Sequence, residues 1–305
     1  VEYAAVPLTM YSTGADHLES YTSISALLEH FYAEKNTLTR IRQKSSDLRR
    51  IVQTALEREI KKYDLQLAQM KDTEKREKYR IYGELLNTYY TSEPVTIPLD
   101  PTLSATENAK KYFDKYGKLK RTYEALSELT TQVKEEIDHL ETISTALDIA
   151  LKEEDLVEIK EELTQSGYIR RKGGTKKAKI TSKPFHYLSS DGFHIYVGKN
   201  NFQNDELTFK FANGNDWWFH AKGIPGSHVV VKTEGKELPD RTFEEAGRLA
   251  AYYSKGREQE KVEIDYVQKK QVKKPAGAKP GFVVYYTNYS LMIDSDISGI
   301  EKISD

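Results

Sequence analysis

The sequence predicts an α+β protein: a long antiparallel coiled-coil hairpin with a small head at its tip, followed by a compact α+β domain with a mostly antiparallel sheet. Three observations carry this expectation. Two long segments repeat apolar side chains at steps of three and four. Beyond residue 180 the dominant apolar period falls to two, with turn-forming clusters between the alternating runs. Hydrophobic residues make up 38% and charged residues 30% of the 305, a balance suited to long solvated helices rather than to one compact globule.

Residues 1–14 place Tyr3, Val6, Leu8 and Met10 in near alternation and read as an extended remnant of a preceding domain, here taken as 1–22. From about Ser23 a helical stripe runs through Leu27, Phe31, Leu38, Ile41, Leu48, Val52, Leu56, Ile60, Tyr63, Leu67 and Met70. No proline or glycine interrupts it before Gly83, so one helix of roughly 75 Å is expected, ending near Lys71. The second stripe, Tyr116, Leu119, Tyr123, Leu126, Thr130, Val133, Ile137, Leu140, Ser144, Leu147 and Leu151, keeps the spacing of a coiled-coil seam. Ser104 with Glu107 fits a capping box that would start this helix near Ala105. Two such helices in one chain bury each other's stripes most economically as an antiparallel hairpin over 23–166. Separate dimerisation of each helix is the alternative, and the oligomeric state stays open. Between them, residues 72–113 combine Tyr79, Tyr82, Tyr89 and Tyr90 with helix-breaking Pro94, Pro98 and Pro101, and should form the head.

Residues 167–179 then carry Arg170, Arg171, Lys172, Lys176, Lys177 and Lys179 with no acid, the pattern of a basic linker. In the last domain, 180–305, Phe193, Ile195 and Val197 alternate with His194 and Tyr196 as a half-buried strand. Asn200, Asn201, Asn204 and Asp205 read as a turn leading to a second strand at 207–211. Trp217, Trp218 and Phe219 cannot all face inward on a one-sided strand, so at least one ring is expected at a partner surface. Further strands are expected at 229–231, 262–267, 282–286 and 291–293, and a helix at 242–254 with Asp240 as its cap.

The run GFHIYVGKNNFQNDELTFK from Gly192, followed by DWWFHAKGIPGSHVVVK from Asp216, closely resembles the C-terminal signature of the NFACT family of ribosome quality control and fibronectin-binding proteins. The likeness extends to YGELLNTYY from Tyr82, LDPTLSATENAKKYFDKYGKLK from Leu99 and VKKPAGAKPGFVVYY from Val272, so nearly the whole chain is covered. It implies the C-terminal half of a longer protein, without the upstream domain whose Asp-Arg pair handles transfer RNA. Its implied partners are the obstructed large ribosomal subunit and, through the full-length protein, alanyl tRNA for C-terminal tailing. Fibronectin is the alternative partner. The implied location is the cytoplasm, with the cell surface as a second site reached without a signal peptide.

The residues themselves exclude several chemistries. The absence of cysteine removes disulfides, thiolate nucleophiles and zinc-thiolate sites. No phosphate-cradling, nucleophile-elbow or HExxH pattern occurs, and the His220 to His228 spacing matches no common zinc arrangement, so neither an enzyme nor a metal or other cofactor is expected. Net charge is −1, yet residues 168–305 hold 23 basic and 17 acidic side chains, leaving 23 and 30 in front. The anion-seeking half is the C-terminal one. Lys269, Lys270, Lys273, Lys274 and Lys279 surround a proline- and glycine-rich hinge, and with Lys199, Lys222 and the linker cations they are the expected phosphate contacts. Trp217, Trp218 or Phe219 is a candidate to stack on an unpaired base, with Trp217 as the site residue. The loop of His220, Gly223, Pro225, Gly226, Ser227 and His228 fits a recognition loop offering backbone N–H groups. Histidines satisfied inside the domain are an equally weighted reading.

Overall fold

The computed structural model describes residues 20–88, 94–171 and 181–304, without the side chains of 33–38. The expectations for residues 1–19, Leu38, Tyr89, Tyr90, Lys172, Lys176, Lys177 and Lys179 lie outside the described residues or side chains. Long-range contacts divide the chain into two compact units, Thr54–His139 and Val1–Gln53 with Leu140–Asp305. Heptad spacing yields α1 (Ile24–Asp72), a 3-10 turn at Thr73–Lys75, α2 (Arg76–Thr88) and α3 (Ala105–Ile149).

Within the unit Thr54–His139 the helices run antiparallel, because rising numbers on one side meet falling numbers on the other. The Thr130 hydroxyl lies 3.5 Å from the Met70 sulfur, the Arg76 guanidinium sits 4.0 Å above the Tyr123 ring, and Tyr79 stacks on Tyr112 with centroids 5.9 Å apart. Tyr79, Tyr82 and Tyr112 of the head therefore serve packing. A Cβ at Gly83 would meet the Phe113 ring at 2.8 Å, which is why α2 can approach α3 so closely. The capping box forms as expected: Ser104 N–H and Oγ–H donate to Glu107 Oε2 at 2.8 and 2.7 Å.

In the other unit, Arg49 donates to the Leu147 carbonyl at 2.5 Å and pairs with Asp148, while Lys44 and Arg40 reach Glu153 at 2.5 and 3.2 Å. Here too α1 and α3 are antiparallel within one chain. The seam does not continue to Leu151. Asp155 Oδ2 accepts the N–H groups of Leu151 and Lys152, both at 3.0 Å, and so starts a separate helix, α4 (Glu153–Gln165).

The sheet contains β1 (Phe185–Leu188), β2 (His194–Val197), β3 (Trp217–Ala221), β4 (Val229–Val231), β5 (Val262–Gln268), β6 (Tyr289–Ile293) and β7 (Glu301–Ser304). Their order is β6-β5-β3-β4-β2-β1-β7, and every pair is antiparallel. Residues 200–211 are not the turn and strand that their sequence suggests. Asn200 Oδ1 accepts the Gln203 N–H at 3.0 Å and caps α5 (Asn201–Glu206), which runs into a π-helical turn at Leu207–Phe211. Segment 282–286 is likewise no strand; only Lys273 and Val284 form a bridge there. The main helix, α6 (Asp240–Tyr252), starts two residues before its expected position, with Pro239 rather than Asp240 as the preceding cap.

One face of the sheet packs under α6, where Phe185, Ile195, Phe219, Val229, Val231, Leu249 and Ile264 are buried completely. The opposite face is covered in its middle by α5, the π turn and residues 272–285, around Trp218 and Val230. A sheet covered on both sides takes aromatic residues on both. That is why Trp218 and Phe219 are fully buried and why half-buried Trp217 packs edge-on against Phe243 at 4.9 Å, contrary to the expectation of a displayed ring.

α4 docks through carboxylates as well as through Leu156, Ile159 and Leu163. Glu158 Oε2 accepts from Asn200 and Gln203 amides at 2.7 and 2.6 Å, and Glu162 Oε1 accepts from Asn201 at 2.7 Å. Burial raises both carboxyl pKa values, that of Glu162 from 4.5 to about 7. The folded state thus holds the Glu162 proton more tightly than the unfolded chain, and stability falls as pH rises from about 4.5 through 7. Glu162→Gln, which imitates the protonated group and keeps the acceptor for Asn201, should be neutral at the acid end and stabilise by about 1–3 kcal/mol above the folded pKa. Thermal melts across that pH window check this; an increment independent of pH would contradict it. Among the described residues, no helix is long and apolar enough to cross a membrane.

Candidate nucleic-acid interface

Residues 269–286 form a strap across the sheet face opposite α6. Its start is held by main-chain bonds from Lys269 to Asp216 at 2.9 Å and from Lys270 to Gly214 at 3.0 Å. Lys273 and Val284 exchange two main-chain bonds of 2.9 Å. Asp205, in α5, ties down the far end by accepting the Gly281 N–H at 3.0 Å and by pairing with Lys274. Gly281 has φ +79°, and a Cβ there would meet Asn201 Oδ1 at 2.5 Å, so only glycine fits between strap and helix. Val272, Val283 and Tyr285 turn inward onto Trp218, with the Tyr285 ring 5.1 Å away and its hydroxyl donating to Asp265 at 2.9 Å. Lys273, Phe282 and Tyr286 turn outward, and Tyr286 is 84% exposed.

The cations expected from sequence divide sharply. Lys270 and Lys273 are exposed, Lys269 is half-buried above the Phe209 ring, and Lys279 is half-buried with its charge felt at Glu162. Arg170 is exposed, and Arg171 pairs with Glu161 at 2.6 Å. Lys222 stands on the surface, paired with Glu263 at 2.7 Å. Lys199 is a correction. Only 2% exposed, it is bonded to Asp155 of α4 at 3.1 Å with its ammonium over the Phe185 ring, so no phosphate can reach it. Trp217 is withdrawn as a stacking platform by its contacts with Phe243 and Tyr266. Phe282 and Tyr286, expected in a strand, are the exposed rings of the strap, and Phe211 and Tyr289 are exposed elsewhere in the domain. The run FVVYY at 282–286 carries no polar alternation, so the sequence offered no signal for which rings stay exposed.

Comparison with known proteins decides the family. Residues 1–182 match the family described as NFACT N-terminal and middle domains, and residues 183–287 match the NFACT protein RNA binding domain. The chain belongs to the NFACT family. It is 40% identical over 308 residues to the Rqc2 homolog RqcH of Streptococcus suis, covering 95% of this chain and 55% of that protein. The RqcH of Streptococcus pneumoniae serotype 2 is 40% identical over 302 residues, covering 93% of this chain and 54% of its own length. The chain thus spans about half the length of these curated relatives. A solved structure, the C-terminal part of the fibronectin/fibrinogen-binding protein from Streptococcus suis, is similar with a TM-score of 0.73 and 39% identity, over 86% of this chain and 99% of that one.

The stretch that carries most of the NFACT likeness is largely internal. His228 is 2% exposed; its ring meets the Thr208 hydroxyl at 2.8 Å, and its backbone N–H donates to Asn204 Oδ1 at 3.0 Å. Half-buried His220 stacks on Trp218. Burial lowers the pKa of His220 to about 4 and that of His228 well below the usual histidine range, so both rings are neutral at pH 7 and bring no charge to a phosphate. Pro225, Gly226 and Ser227 dock on the end of α6: the Pro225 carbonyl accepts from Lys255, and Ser227 N–H donates to the Tyr253 carbonyl, each at 2.9 Å. Of the expected recognition loop, only Gly223 is fully exposed, beside Lys222; His220, Pro225 and Gly226 are half-buried, and Ser227 and His228 are buried.

Proposed function

We propose that this NFACT chain is the RNA-engaging portion of a ribosome-associated quality control factor that grips the obstructed large ribosomal subunit through the strap. The observation that carries the reading is the outward display of Lys270 and Lys273 on a segment clamped to the sheet by Val272, Val283, Tyr285 and Asp205. Rigid presentation of cations is what phosphate contacts need. The match to an NFACT RNA-binding domain and the likeness to RqcH proteins support it. The full-length protein would recruit alanyl tRNA for C-terminal tailing in the cytoplasm. Sucrose-gradient centrifugation with purified large subunits tests the grip: this chain should co-sediment with them, and its absence from the subunit fractions at low salt would refute it.

The reading is one of binding without covalent chemistry. Ser227 Oγ is buried and, among the described residues, has no hydrogen-bond partner to activate it. Ser227→Ala should therefore change subunit affinity by less than about tenfold, the scale of one neutral hydrogen bond. This chain alone should add no alanine tail; tailing by it, or hydrolysis of simple esters abolished by Ser227→Ala, would make it an enzyme. Binding to fibronectin is a second reading, favoured by the name of the similar Streptococcus suis structure.

A further inference from the structure

We propose that the strap takes unpaired RNA, stacking bases on Tyr286 and Phe282 while Lys270 and Lys273 hold neighbouring phosphates. This rests on the RNA reading above and narrows its ligand. The domain buries Trp218, Phe219 and Phe185 completely, yet leaves Phe282 at 49% and Tyr286 at 84% exposure. Both rings are exposed on the strap, as Lys273 is, whereas Val283 and Tyr285 between them pack on Trp218. Val283 and Tyr285 anchor that end of the strap on Trp218, so packing makes no demand on Tyr286, which is 84% exposed.

Residues 269–293 contain five lysines and no carboxylate, which suits a polyanion better than a protein surface of mixed charge. Lysines alone would serve a duplex, whose bases are covered by their neighbours. Exposed ring faces beside them gain a partner only when a base is free to stack.

The test is fluorescence anisotropy with the 305-residue chain and three labelled probes at one salt concentration: oligoadenylate, oligouridylate, and the duplex of the two. Both single strands should bind more tightly than the duplex. Tyr286→Ala and Phe282→Ala should each weaken single-strand binding by roughly fivefold to a hundredfold, with little change for the duplex, and Tyr286→Trp should retain it. Their exposure makes unfolding avoidable, and unchanged melting temperatures would verify that. Lys270→Glu with Lys273→Glu should weaken all three probes. Duplex binding equal to or tighter than single-strand binding, or alanine variants that bind as the parent does, would overturn stacking while a surviving lysine effect left the RNA reading intact. Failure of the parent chain to bind any probe would remove the RNA reading itself. Fibronectin capture lost in Tyr286→Ala, with RNA binding unaffected, would assign the rings to a protein partner and overturn the proposal.

Discussion

Lys199→Ala should destabilise the protein by about 3–5 kcal/mol and leave the RNA affinity of the remaining folded molecules unchanged. The ammonium and the Asp155 carboxylate are 2% and 1% exposed and lie 3.1 Å apart. Removing one partner strands a buried charge, which costs far more than an exposed pair of this kind contributes. Asp155 would keep the Ser182 hydroxyl at 2.6 Å and the two N–H groups that it caps, so the loss should stop short of a fully bare carboxylate. Urea denaturation measures the first half of the expectation, and titration with labelled RNA the second. A loss below about 1 kcal/mol, or an affinity loss without a stability loss, would return Lys199 to the RNA surface.

Trp218→Ala should cost a similar 3–5 kcal/mol, the range for emptying a large aromatic site in a packed core. Its consequences should extend to function. Trp218 is the floor on which Tyr285, Val272 and Val283 rest, so its removal unseats the strap that carries Lys270 and Lys273. Weakened RNA binding at temperatures where the variant is still folded is the expected signature. Undiminished binding would mean that the strap is held by Asp205 and the main-chain bonds alone.

The helices were legible because their stripes are long and because Ser104 and Glu107 mark the start of α3 by a local bond. The end of α3 was not, since the signal that breaks it is the side chain of Asp155 folding back onto two backbone groups. Leu207, Phe209 and Phe211 alternate with Thr208 and Lys210, so the sequence imitates a strand. The competing signal was Asn200, whose short amide can cap a helix as well as make a turn. Trp217 and Lys199 depart from their expected exposure for a shared reason. Residue type suggests an exposed platform and an exposed cation, but burial depends on what covers the second face of the sheet and on where α4 comes to lie, and both are long-range facts. The strap lysines were legible as a charge cluster; which of them stay available was set by long-range contacts, such as the Phe209 ring under Lys269 and the Asp205 carboxylate at Lys274.

The most direct test of the account is the salt dependence of large-subunit binding, measured side by side for the parent chain and for Lys270→Glu with Lys273→Glu. If the strap neutralises phosphates, the double variant should bind more weakly, and the slope of log affinity against log salt should become shallower by about 1 to 2, because fewer counterions are released. Parallel slopes, with equal affinity at low salt, would show that the strap lysines are solvated surface and that the subunit is gripped elsewhere.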